Sequence, residues 1–132
     1  MKFTDSHCHL DFKAFTHKGS ASTNLLLEQC AKESIHQIIV PAVRPDNWQN
    51  VLALAHHNKN QPLSGCNVFA CLGIHPWFLE GLAQKNLDDL AQKILENKTQ
   101  IIAIGEAGLD GVIAKQQDNI NQQRLFFEFQ LN

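Results

Sequence analysis

Ile35-His36-Gln37-Ile38-Ile39-Val40-Pro41 is a β-branched run that stops at a proline. Branched side chains suit a pleated surface, and a proline removes the donor that would extend the ladder. Asn67-Val68-Phe69-Ala70-Cys71-Leu72-Gly73 and Ile101-Ile102-Ala103-Ile104-Gly105 have the same character. Runs that are apolar on both faces belong in parallel sheets covered by helices. A first candidate strand, Lys2 to Ser6, leads into His7.

Helical spacing fills the intervals. Asn24 to Ser34 places Leu26, Leu27, Cys30 and Ala31 on one face. Pro45-Asp46 opens a second helix with Trp48, Val51, Leu52 and Ala55 on its apolar side, fading at Asn58-Lys59-Asn60. Pro62, Ser64 and Gly65 mark a loop. Asn86 is read as the N-cap of a third helix through Leu87, Leu90, Ile94 and Leu95. A fourth is expected from Asp118, with Leu125, Phe126 and Phe129 at helical spacing.

Four βα units in 132 residues are about 33 residues apiece, and an eightfold barrel typically needs about 250. The expected fold class is therefore α/β: a truncated (β/α)8 TIM-type barrel with a parallel sheet. Residues 1–132 would form its N-terminal half as one domain.

Composition agrees with a globular chain. Hydrophobic residues are 44% and charged ones 18%, which excludes disorder and collagen-like order. The net charge is −2 without a basic run, so no dedicated electrostatic grip on nucleic-acid backbone is indicated. No apolar stretch approaches a membrane span, and the N-terminus lacks a secretory core, so a cytoplasmic location is expected. Cys8, Cys30, Cys66 and Cys71 form no metal-finger spacing, and the last three read as reduced thiols among apolar neighbours.

The chemistry gathers at strand ends. In His7-Cys8-His9, alternation puts the two imidazoles on one side and the thiol on the other. Such a pair can chelate one divalent ion, with Asp5 and Asp11 as supporting acceptors. The alternative is two surface histidines. Glu106 follows the fourth strand, the catalytic position of a barrel, between Gly105 and Gly108. It reads equally as a solvated loop acid. Asp110 could bond the loop backbone or touch metal or substrate. His75, in Gly73-Ile74-His75-Pro76-Trp77, could bind a phosphate, orient a water, or be structural. Trp77 reads as a packing residue in preference to a rim aromatic. His56 and His57 read as solvent-exposed, His17 and His36 as unpartnered, and Lys85, Lys93 and Lys98 as solvated surface. Nucleophile-elbow, phosphate-loop and dinucleotide motifs are absent from the sequence.

D-S-H-C-H-L-D at 5–11, G-I-H-P at 73–76 and G-E-A-G-L-D at 105–110, in that order, resemble the TatD family of metal-dependent deoxyribonucleases, amidohydrolase-like barrels. Gln122-Gln123-Arg124 with Phe126, Phe127 and Phe129 resembles the family's helix after strand four. The resemblance implies a distorted barrel holding two divalent ions, magnesium, manganese or zinc. His7 and His9 would ligate one ion, Glu106 would bridge both, and His75 would lie near the scissile phosphate. The implied reaction is cleavage of DNA phosphodiesters, single-stranded or at 3′ ends, by a metal-activated water.

Ala107 and Gly111 depart from the family's usual isoleucine and aromatic residue. The family's later ligands, two histidines and an aspartate from the fifth, sixth and eighth strands, have no counterpart in this sequence. The expectation is thus a chain inactive by itself, completed by self-association or by a missing C-terminal half in trans. The alternative is a non-catalytic remnant or a metal-binding or interaction fragment of a split gene.

Overall fold

The computed structural model describes residues 1–12, 15, 20–60 and 65–132. Four parallel strands form one sheet in the order β1 (Phe3–Asp5), β2 (Ile35–Pro41), β3 (Asn67–Leu72), β4 (Ile101–Ile104). Sequential order with every neighbour parallel is the βα progression of an eightfold barrel. The helices between them are α1 (Ser20–Lys32), α2 (Trp48–Asn60) and α3 (Gln84–Glu96), and α4 (Gly111–Gln117) and α5 (Ile120–Leu131) follow β4. Short 3₁₀ turns at Pro45–Asn47 and Pro76–Phe78 follow β2 and β3.

Strand alternation explains the core. Ile38 and Val40 of β2 pair with Val68 and Ala70 of β3, and all four are buried. On them lie Trp48, Val51, Leu52 and Ala55 of α2, the face that helical spacing predicts. Leu27 of α1, Leu87 and Leu90 of α3 and Phe126 of α5 complete the layer. Burying each such large side chain stabilises the fold by roughly 1.5–3 kcal/mol. Trp48 also donates its indole N–H to the Gly73 carbonyl at 2.9 Å, tying α2 to the end of β3. Among the described residues no helix is long and apolar enough to cross a membrane.

Several expectations need correction. β4 is not buried: Ile102 and Ile104 are 50% and 51% exposed, because β3 is its sole partner strand among the described residues. α1 begins at Ser20 rather than Asn24 and ends before Ser34, which has φ 70°. The N-cap of α3 is Ala83; Asn86 sits inside the first turn and accepts the Ala83 N–H at 2.9 Å. An amide three residues into a helix can reach back to the cap. Asp118 starts no helix. It ends α4 in the left-handed conformation (φ 50°, ψ 42°), and α5 starts after Asn119. His36 has a partner, its Nδ1 lying 2.9 Å from the Gly65 carbonyl. Lys85 and Lys93 pair with Asp89 and Glu96 on the exposed side of α3. His17, Pro62 and Ser64 lie outside the described residues.

Candidate metal centre

The C-terminal ends of β1, β3 and β4 meet at one place. Beyond β1, Asp5 Oδ1 accepts the His7 backbone N–H at 3.1 Å, and Cys8 donates its N–H to the Ile39 carbonyl at 3.0 Å. Leu10 is buried in the core and Cys8 packs against it. Cys8 packs on the core, whereas His7 and His9 turn toward each other beyond the end of β1. Their Nε2 atoms lie 3.2 Å apart. The thiol therefore stands apart from both imidazoles, and burial pushes its pKa up, which disfavours a thiolate nucleophile.

Glu106 arrives from β4. Gly105 donates its N–H to Leu72 O at 2.9 Å and has φ +152°, a conformation that L side chains rarely adopt. Glu106 Oε1 then lies 3.6 Å from His7 Nε2 and Oε2 lies 3.6 Å from His9 Nε2. Ligand atoms of His7, His9 and Glu106 all fall within 4.8 Å of one another.

His75 closes the group from β3, with Nε2 3.6 Å from Glu106 Oε1. Its Nδ1 accepts the Trp77 backbone N–H at 3.1 Å. A neutral ring with Nδ1 accepting carries its proton on Nε2, toward Glu106. Burial lowers the His75 pKa, partly opposed by the Glu106 carboxylate, so the neutral form is favoured.

The donor set suits a divalent ion. Two imidazoles and a carboxylate are ligands of zinc and manganese type, leaving coordination positions for other groups. Glu106 Oε2 and His9 Nδ1 are buried without a hydrogen-bond partner among the described residues. Buried polar atoms are normally satisfied, so an unpartnered carboxylate oxygen beside two facing imidazole nitrogens fits a cation.

Asp5 and Asp11 play different parts from those expected, and Asp110 takes the backbone-bonding role that was one of its two readings. Asp5 holds backbone, and Asp11 Oδ2 accepts from Asn47 Nδ2 at 2.7 Å, rather than supporting the imidazoles. Asp110 caps α4: Oδ1 accepts from Val112 and Ile113, and Oδ2 accepts the Trp77 indole N–H at 2.9 Å. The Trp77 bond above all, with the cap donors, lowers its pKa. Trp77 is 53% exposed, a rim residue rather than a packing one. His57 is only partly exposed, and its Nε2 is buried.

Two glutamines of α5, Gln123 and Gln130, position the site, a role that the sequence reading did not assign to them. Gln130 is buried; its Oε1 accepts Ile74 N–H at 2.7 Å and its Nε2 donates to Ile74 O at 3.2 Å. Gln123 does the same for Asp110, accepting its N–H at 2.7 Å and donating to its carbonyl at 3.2 Å. Each amide thus completes a backbone pair next to a site residue. The one available signal was a polar residue on the apolar stripe that Phe126 marks. Gln130→Leu should destabilise the chain by about 2 kcal/mol, because the buried Ile74 N–H and C=O lose their partner. Chemical denaturation would read this, and unchanged stability would refute the clamp.

Residues 4–132 match the family model described as TatD related DNase. Over 109 residues the chain is 38% identical to the Escherichia coli K12 protein named uncharacterized metal-dependent hydrolase YjjV, covering 83% of this chain and 38% of that one. It is 29% identical over 114 residues to human deoxyribonuclease TATDN3, covering 80% and 37%. The crystal structure of the Escherichia coli TatD homologue YjjV superposes with a TM-score of 0.80 at 32% identity, covering 98% of this chain and 45% of that one. The chain therefore spans about two-fifths of the length of the curated relatives it matches.

Proposed function

This chain belongs to the TatD-related DNase family, and on that premise we propose that it carries half of a metal-dependent phosphodiesterase site acting on DNA. The carrying observation is the convergence of His7, His9 and Glu106 ligand atoms within 4.8 Å at the ends of parallel strands. We take these three as metal ligands and His75 as the group that meets the scissile phosphate. The names of relatives support this reading, since human TATDN3 is called a deoxyribonuclease.

A bound divalent ion supplies Lewis acidity to a phosphoryl oxygen and lowers the pKa of water. The chain's own residues do the rest. His7 and His9 offer Nε2 lone pairs from a short segment tied to Ile39 through Cys8. Glu106 brings the negative charge that offsets a dication. His75 is held neutral with its proton on Nε2, so it donates a hydrogen bond to a phosphate oxygen without repelling the cation.

The exposed Ile102 and Ile104 of β4 support a hydrolytic unit that continues beyond this edge. The remaining donors of a two-ion site would come from those further strands. The test is cleavage of end-labelled single-stranded DNA with magnesium, manganese or zinc against chelator. It is run on the chain alone and co-expressed with the C-terminal part of the Escherichia coli relative, each beside Glu106→Gln. Chelator-sensitive cleavage that Glu106→Gln abolishes, in either arm, is the expected result. Cleavage that survives Glu106→Gln, or none in both arms, would sink the proposal.

A further inference from the structure

Aromatic rings border the candidate centre. Phe12 stacks on His9 with centroids 4.6 Å apart, and Trp77 and Phe78 lie 5.3 Å and 5.9 Å from the His75 ring. Trp77 alone of the three carries a second N–H group, and both are used. Its backbone N–H donates to His75 Nδ1 at 3.1 Å. Its indole N–H donates to Asp110 Oδ2 at 2.9 Å. The indole meets the imidazole edge-on, with planes 84° apart. One residue is therefore bonded both to the segment that follows β3 and to the segment that follows β4.

Each end of this connection is fixed. His75 donates its backbone N–H to Val43 O at 2.8 Å, and its carbonyl accepts the Phe78 N–H at 3.0 Å. These bonds hold its main chain and leave its ring free to turn. Asp110 is clamped by Gln123, which pairs with its backbone N–H and carbonyl, while Oδ1 takes the Val112 and Ile113 N–H groups. Oδ2 is left for the indole. Trp77 is 53% exposed, so packing does little to hold it, and the bond to a carboxylate decides where the indole stands. A neutral imidazole has two tautomers, and a donor at Nδ1 leaves the proton on Nε2. That Nε2 lies 3.6 Å from Glu106 Oε1.

We propose that Trp77 is a positioning residue, a strut between Asp110 and His75 that fixes the imidazole in its Nε2–H tautomer and in its place beside Glu106. The assignment rests on the phosphodiesterase reading and deepens it, because His75 can donate to a phosphate oxygen from Nε2 only in that tautomer. Glu106 and Asp110 belong to one strand-end segment, so the same strut holds the carboxylate and the imidazole in register. It acts through His75 and needs no contact between Trp77 and substrate.

The test reads the strut and the reaction separately. Trp77→Phe keeps a ring and the backbone N–H and removes only the indole donor. Asp110→Asn keeps a cap oxygen for α4, since asparagine caps as well as aspartate, and turns an amide N–H₂ toward the indole. Melting curves of both variants, and of the double variant, are checked against the parent. Nitrogen NMR is run on protein carrying isotope-labelled histidine, in chelator. The parent's His75 should show Nδ1 bare and Nε2 protonated, and each variant should move toward the averaged pattern of an unrestrained ring. In the cleavage assay with metal present, each single variant should lose about tenfold in kcat with KM unchanged, a modest share of what misplacing a reacting group costs. The double variant should be no slower than the slower single one, because both substitutions break one bond. An unchanged His75 pattern in both variants, or losses that multiply to about a hundredfold in the double variant, would overturn the strut. Variants that lose the parent's tautomer while no arm cleaves DNA would leave the strut standing and count against the hydrolase reading. Cleavage at the parent's kcat by all three variants would do the reverse.

Discussion

Gly73→Ala is expected to destabilise the chain by about 3 kcal/mol, the upper part of the usual range for overpacking, and to dismantle the candidate centre. A Cβ at residue 73 would stand 2.7 Å from both Gly105 O and Glu106 N, and closer still to the Gly105 carbonyl carbon. All of these are backbone atoms, so no side chain can swing aside. The strand ends must separate, which strains the Gly105 N–H bond to Leu72 O and carries Glu106 away from His7, His9 and His75. The Trp48 indole bond to Gly73 O lies on the same segment. Gly108→Ala is the matched control, because a Cβ there meets nothing within 4 Å. Denaturant unfolding should separate the two variants clearly. A Gly73→Ala protein as stable as Gly108→Ala would mean that β3 and β4 do not approach so closely.

Glu106→Gln is expected to remove the stabilisation that a divalent ion confers. A ligand at one hundred times its dissociation constant raises stability by about 2.7 kcal/mol. Loss of the carboxylate leaves only two imidazole ligands, and an affinity drop of about hundredfold would cut that gain to about 0.4 kcal/mol at the same concentration. The substitution preserves shape, so metal-free melting should stay near that of the parent. Thermal melts with zinc or manganese, with and without chelator, read the difference without requiring activity. Equal metal-induced shifts in both proteins would place the ion elsewhere.

The architecture was legible because continuous apolar runs leave a strong mark, although the structure fully buries mainly the face under the helices. Ile38, Val40, Val68 and Ala70 sit in uninterrupted apolar runs, and parallel strands under helices are the arrangement that hides such runs. The α2 stripe was equally plain, since Trp48, Val51, Leu52 and Ala55 keep the helical period. Helix ends were less legible. Ala83 has no side-chain oxygen to mark a cap, and α4 is only seven residues long with Val112 exposed, so it lacks an apolar stripe.

The candidate centre divides in the same way. His7 and His9 stand two residues apart just beyond β1, with Cys8 between them packed on the core and bonded to Ile39 O, and their Nε2 atoms lie 3.2 Å apart. Nothing local relates them to Glu106, about a hundred positions later. That meeting depends on sheet register, on Gly73 lying against Gly105, and on Leu72 O receiving the Gly105 N–H. The work of Gln123 and Gln130 was invisible for the same reason: each amide answers backbone groups that the fold alone brings beside it. Trp77 was misread because its partner, Asp110, comes from another loop. Periodicity encodes what a residue does within its own strand or helix, and here it specified parallel strands and covering helices. Distances between segments come from how those elements pack, and that packing built the three-residue centre, the glutamine clamps and the aromatic rim.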